Sequence, residues 1–409
     1  MQGMLTSKEA AARLGVKVST VYVYVSRGLL ESHRSEDGRR SLFAVEDVER
    51  LAQRGRGGRG VESRMAVVNT AITELRPDGP HYRGRPAVEL AADSTPEQVA
   101  ELLWNTDEPG VWTPAQLGPA PTLAPHDLML WRVIMAGAAD PLRSDLRPRS
   151  VVRAARRLIS TLADGPDTTT ATRGADGADP TGARSDGASS GDADPAGAPP
   201  VDRLADRMAA QLCGASPDPA VVDAVRVAMI VLADHELATS TLAVRVAAST
   251  RADLYDAILA GLGTLAGPLH GSAARHVVGL LRTAIERGAA AALDEAFRDQ
   301  GLVLGFGHGA YPDGDPRCDA LLHAMRATGP SPALAAVVAV LELARDAELP
   351  PPNIDLAVGA LALCADIEPA AIGSLFAVAR CSGWVAHYLE ELEELPLRFR
   401  ARAVHVTSR

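Results

Sequence analysis

The chain has 409 residues, 47% of them hydrophobic but only 4% aromatic, so a large core would be built mainly from Ala, Val and Leu. A formal net charge of −10 excludes a coat of nucleic acid over the whole surface, though not one local basic module. Four scattered cysteines (Cys213, Cys318, Cys364, Cys381) without C-x-x-C spacing fit reduced thiols in a cytoplasmic protein, not a disulfide frame or a zinc site. No apolar run is long enough to span a membrane and no signal-peptide pattern opens the chain, so no membrane partner is expected.

Residues 1–52 read as one unit. Thr6 and Glu9 have capping-box spacing; Ala10, Ala11 and Leu14 give a helix its apolar face, and Gly15 ends it. A second helix carries Val18, Val21, Tyr22 and Val25 and stops at Gly28. A basic turn (Ser35 to Arg40) and a return strand at Leu42-Phe43 follow, and Asp47-Val48-Leu51 opens a third helix. This pattern is a winged helix-turn-helix. It resembles the small DNA-binding domains of the MerR and excisionase type, through Ala10 to Val16, Thr20-Val21-Tyr22 and Arg27 to Leu30. The second helix offers only Lys17 and Arg27 as cations, with Arg34, Arg39, Arg40, Arg54, Arg56 and Arg59 nearby. DNA affinity comes mostly from phosphate contacts, so the sparse charge favours a docking or dimerisation module over DNA binding.

Residues 53–64 form a Gly/Arg linker. A β signal follows, Thr70 to Thr73 and His81 to Arg83 around a turn at Arg76 to Gly79. The remainder shows no strand-helix alternation and predicts an all-α body. Helices are expected from Thr95-Pro96-Glu97 onward, at 115–136 and 150–163, then over 201–260 with Ser240-Thr241 capping one of them. Further helices are expected at 272–287, 289–298, 317–327, 332–346, 354–364, 368–378 and 381–393. Residues 164–200, rich in Gly, Ala, Asp, Thr, Ser and Pro, read as a disordered surface insert.

Chemistry concentrates in three Gly/Pro loops. Gly305-Phe306-Gly307-His308 runs on to Asp315-Pro316-Arg317; Gly267-Pro268-Leu269-His270-Gly271 precedes it, and Pro352-Asn353-Ile354-Asp355 follows. Glycine admits close backbone approach, histidine donates to a carbonyl near neutral pH, and arginine forks onto a carboxylate. Asp355 also has the look of a helix cap. Arg380, on an apolar helix, would be costly without an anionic partner.

From about Ile72 to the end the chain resembles citrate synthase. The likeness rests on Tyr82 to Pro86, Glu89-Leu90-Ala91, Ala233-Asp234-His235-Glu236, the three loops, and Ala379-Arg380 followed by Gly383 to His387, all in order. The resemblance implies a large helical domain around a smaller one at about 278–378, within residues 65–409. It implies that Asp355 removes a proton from acetyl-CoA, His270 stabilises the enolate, and His308 polarises the ketone of oxaloacetate. Arg317, Arg380 and His235 would bind oxaloacetate, and backbone at Val303 and Gly305 would receive the CoA adenine. Arg400 would reach the neighbouring subunit's site, which implies a homodimer. No metal and no permanently bound cofactor are implied, and the acyl-CoA is a co-substrate. Alternatives are a 2-methylcitrate synthase using propionyl-CoA, and a non-catalytic metabolite-sensing DNA-binding regulator or partner built on the same fold.

Overall fold

The computed structural model describes residues 4–26, 29–35, 41–49, 51, 68–108, 110–164, 204–214, 216–267, 270, 273–300 and 303–400. The linker at 53–64, the insert at 165–200, the stop at Gly28 and the arginines at 39, 40, 54, 56 and 59 lie outside them.

The N-terminal unit is a small sheet backed by two helices, Ser7–Leu14 and Val18–Ser26, with helical backbone again at 45–49. Strand Ser41–Ala44 pairs antiparallel with both Met4–Thr6 and His33–Arg34. The expected return strand is therefore present, and Met4–Thr6 is an addition too short to show alternation. The capping box forms as read: Glu9 N donates to Thr6 Oγ1 at 3.3 Å, and Thr6 N donates to Glu9 Oε2 at 2.8 Å. Gly15 takes φ +70°, a left-handed cap that suits glycine. The unit buries its own small core, Ala10, Ala11, Val21, Val25, Leu30, Phe43 and Val48, separate from that of the main body.

The main body begins with a hairpin, Thr73–Arg76 against Gly79–Tyr82, to which Arg85–Pro86 adds. The register pairs Thr73 with Tyr82 and Arg76 with Gly79, so Pro77-Asp78 forms the turn. Among the described residues the later named elements of the main body are all helices. Proline opens many of the helices (Pro96–Trp104, Pro148–Ala163, Pro219–Val231, Pro316–Met325, Pro332–Asp346), where its missing N–H costs nothing.

Three expectations need correction. The helix expected at 115–136 runs only from Pro125 to Ala138, because Pro119 and Pro121 break the chain before it. Ser240 and Thr241 do not cap; Ala238 precedes the helix Thr239–Ser249 with no side-chain bond, and both hydroxyls are buried in the first turn. The two helices expected at 368–378 and 381–393 are one, Ile372–Glu393. That helix is buried along most of its length, with Trp384 fully enclosed. Gly383 lets it touch the Ala233-Asp234 turn: its N donates to Ala233 O at 3.0 Å, and a Cβ there would lie 2.6 Å from that oxygen. This contact brings Arg380 alongside His235. Among the described residues no helix is long and apolar enough to cross a membrane.

Candidate active site

Two irregular loops are zipped together by backbone. Gly307 N donates to Pro351 O at 2.7 Å, Asn353 N donates to Gly305 O at 2.9 Å, and Asn353 Nδ2 donates to Gly307 O at 2.9 Å. Gly305 and Gly307 hold φ of +91° and +78° there, which other residues rarely adopt. The zipper fixes His308 at the end of one loop and Asp355 just beyond the other. Asn353, not Asp355, caps the helix Ile354–Cys364, its Oδ1 accepting from Asp355 N at 3.0 Å. The Asp355 carboxyl is thereby free of capping duty. Burial raises its pKa to about 6, against a smaller opposing pull from Arg317.

His308 sits among aromatic rings. Tyr311 stacks on it at 4.9 Å, and His235 meets it edge-on at 5.1 Å. Ala310 N donates to His308 Nδ1 at 3.1 Å, so the ring proton lies on Nε2, ready to be donated. Burial first, and Arg317 second, lower its pKa to about 4, so the ring is neutral near pH 7. His235 Nε2 lies 3.2 Å from the Tyr311 hydroxyl; burial, then Arg317 and Arg380, hold its pKa well below the ordinary value. His270 Nε2 lies 2.8 Å from the buried Ser240 hydroxyl, and burial, with Arg380, lowers its pKa too. Three neutral imidazoles result, two of them (His235 and His308) in contact, and a neutral ring suits hydrogen-bond donation to a carbonyl oxygen.

The two arginines differ. Arg317 is gripped by Asp315, Nε to Oδ1 at 2.9 Å and Nη2 to Oδ2 at 2.8 Å, and lies over the Tyr311 ring. Burial opposes its charge, and Asp315 more than offsets this. Asp315 also accepts from Ile354 N at 3.0 Å, joining the arginine to the Asp355 helix. Arg380 is 2% exposed and makes one hydrogen bond among the described residues, Nε to Leu232 O at 2.9 Å, with its guanidinium over Phe376. Burial lowers its pKa, and no carboxylate among the described residues lies within ion-pair distance. A buried cation without a partner is a place for an anion.

Of the residues singled out in the sequence, His235, His308 and Arg317 meet around Tyr311, while Arg380 acts electrostatically on His235 and His270 and is itself acted on by Arg317. Val303, Gly305, His308 and Asp355 line one cavity of about 560 Å³. Arg400 is exposed at the end of the described chain and joins none of these contacts. Sequence reasoning missed Tyr311, Ser240 and the capping role of Asn353. Tyr311 could have been suspected, because it lies three positions after His308 in the same loop.

A helical body that carries neutral histidines, a desolvated carboxyl and an arginine without a carboxylate partner among the described residues has groups suited to carbonyl and carboxylate chemistry. The profile of the citrate synthase C-terminal domain matches residues 60–402, and that of a helix-turn-helix domain matches residues 4–56. A citrate synthase of Mycolicibacterium smegmatis is 30% identical over 345 residues, covering 80% of this chain and 89% of that one. A 2-methylcitrate synthase of Mycobacterium tuberculosis is 30% identical over 360 residues, covering 80% and 85%. With citrate synthase 2 of Bacillus subtilis the identity is 33% over 195 residues, and the chain spans about half (52%) of that relative's length. The solved citrate synthase of Pyrobaculum aerophilum superposes with a TM-score of 0.63 at 25% identity, covering 92% of this chain and 95% of that one. A Thermoplasma acidophilum citrate synthase, solved with carboxymethyl coenzyme A and oxaloacetate, shares the fold at a TM-score of 0.61 and 20% identity, covering 86% and 96%. The chain belongs to the citrate synthase family, with a helix-turn-helix domain at its N-terminus.

Proposed function

We propose that the protein condenses an acyl-CoA with oxaloacetate, using Asp355 as base. Asp355 takes a proton from the carbon beside the thioester, and the electron pair moves onto the thioester oxygen, where His270 donates a hydrogen bond. The enolate carbon then bonds to the ketone carbon of oxaloacetate. The resulting alkoxide takes a proton from His308 Nε2, which balances the one held by Asp355. Water hydrolyses the citryl thioester and releases the CoA thiol. Arg380 and Arg317, with His235, hold the oxaloacetate carboxylates, and backbone at Val303 and Gly305 receives the adenine. The molecule works as a cytoplasmic homodimer, with Arg400 reaching across to the neighbouring subunit's site.

The observation that carries this reading is Arg380: an enclosed guanidinium with one carbonyl partner among the described residues, acting electrostatically on the neutral His235 and His270. The acyl donor is acetyl-CoA or propionyl-CoA, and relatives of both kinds are 30% identical to this chain. The test follows free thiol after mixing the protein with oxaloacetate and each thioester. Release that requires oxaloacetate and is lost in Asp355→Ala is expected, and the faster donor names the synthase. No release with either donor would overturn the proposal.

A further inference from the structure

The cavity that holds Asp355 and His308 is not closed by the main body alone. One wall is the loop from Val303 to Gly309; the facing wall is the N-terminal unit, through Ser7, Lys8, Lys17 and Tyr22. Beside it, a second space of about 280 Å³ separates Ser7, Lys8 and Tyr22 from Phe297, Val303 and Glu348. The two hydrophobic cores do not merge. Among the described residues the cavity thus lies between the unit and the main body. Ser7 Oγ and Tyr22 Oη lie 3.0 Å apart, tying the first two helices together on this side.

The charges are arranged unevenly. His308 aside, Lys8 and Lys17 are the cations that line the cavity among the described residues, and both come from the N-terminal unit. Both are exposed, and neither has an ion-pair partner among the described residues. Among the described residues the main body contributes only carboxylates as fixed charge, Glu348 and Asp355. An acyl-CoA has an uncharged pantetheine arm and an anionic nucleotide end. The body's wall of Leu304, Phe306, Pro350 and Pro351 suits the arm but offers the phosphates no fixed positive charge among the described residues.

We infer that the N-terminal unit is the outer wall of the acyl-CoA cleft, and that Lys8 and Lys17 bind the phosphates of the acyl-CoA. The inference rests on the synthase reading and gives the helix-turn-helix a role within it. The Val18–Ser26 helix, which this fold would otherwise lay against DNA, turns Val18 and Tyr22 towards the enzyme.

The test uses the full chain with Lys8→Glu, Lys17→Glu and the double substitution, each checked for an unchanged thermal melt. The double variant should raise KM for the acyl-CoA by roughly three- to tenfold at low salt, as expected for two exposed phosphate contacts, and the effect should shrink as salt rises. KM for oxaloacetate should not move. With the corresponding acyl-pantetheine, which lacks the nucleotide, wild type and variants should be indistinguishable. Equal acyl-CoA KM in wild type and double variant would overturn the inference and leave the synthase standing. A wild type that neither turns over the thioester nor binds CoA by calorimetry would remove both.

Discussion

Arg245 and Arg380 lie in two regions of the same core, 0% and 2% exposed, and their surroundings are opposite. Arg245 donates to Glu390 at 2.5 Å, to Glu391 at 2.9 Å and to His387 Nδ1 at 3.0 Å. A guanidinium only donates, so His387 must accept on Nδ1 and present its Nε2–H to Asp234 Oδ2, 3.2 Å away. Arg398 adds two more bonds to Glu391. Arg245 and Arg398 thus meet carboxylates directly, and Asp234 is bonded to the His387 ring. Around Arg380, among the described residues, one backbone oxygen serves a whole guanidinium, and Asp234 acts on it only through space while bonded to His387. The difference teaches how to separate charge that holds a fold from charge that awaits a ligand. Asp355 is the acidic counterpart of Arg380: desolvated, uncommitted, and raised towards neutrality. Arg317 falls between the two, since Asp315 already occupies one edge of its fork.

The largest effect that would break this contrast is at Asp355. Asp355→Asn should lower kcat by about 10²–10⁴-fold, the usual worth of a positioned base, with the fold intact. An active Asn variant, seen by thiol release, would place the base elsewhere. Next comes Arg245→Met. It leaves Glu390 and Glu391 underpaired, and removing one partner of a buried pair costs about 3–5 kcal/mol, readable as a lower midpoint in urea. A neutral result would mean that the region is solvated. Arg380→Met should behave in the opposite way. Its stability should hold or rise, while KM for oxaloacetate should climb about 10- to 100-fold, the loss of a charged hydrogen bond. If Arg380→Met destabilises as Arg245→Met does, the distinction between the two regions fails.

The sequence disclosed the uncommitted groups better than the committed ones. His308, Asp355 and Arg380 stand in short segments whose glycines or apolar neighbours advertise them. The all-α body and the capping box of Thr6 and Glu9 were legible because local periodicity and spacing determine them. Arg245 with His387 and Glu391 was not legible, because about 145 residues separate the partners and only the packed fold makes them neighbours. The single helix Ile372–Glu393 reads as two from sequence, because its apolar run has no period that distinguishes a continuous buried helix from a broken one. The placement of the N-terminal unit against the cleft could not be read either, since no local pattern records which surface a module faces.

The smallest effect is on pH, and its sign separates a functional carboxyl from a structural one. The pKa of Asp355 rises from an ordinary 3.8 to about 6 on folding, because burial penalises its charged form. Between those values the native state binds more protons than the unfolded state, so this group's contribution to stability falls as pH rises from about 4 to 6. Catalysis runs the other way: a base must be ionised, so kcat/KM should fall as pH drops through about 6, while His308, at about 4, stays neutral across that limb. Asp355→Asn should therefore gain of the order of 1–2 kcal/mol over wild type at pH 7.5 and lose that gain at pH 4, as chemical denaturation at the two values would measure. A variant less stable at pH 7.5 than wild type would mean that the carboxylate has a partner in the folded state. Asp355 would then belong with Glu391 and not with Arg380.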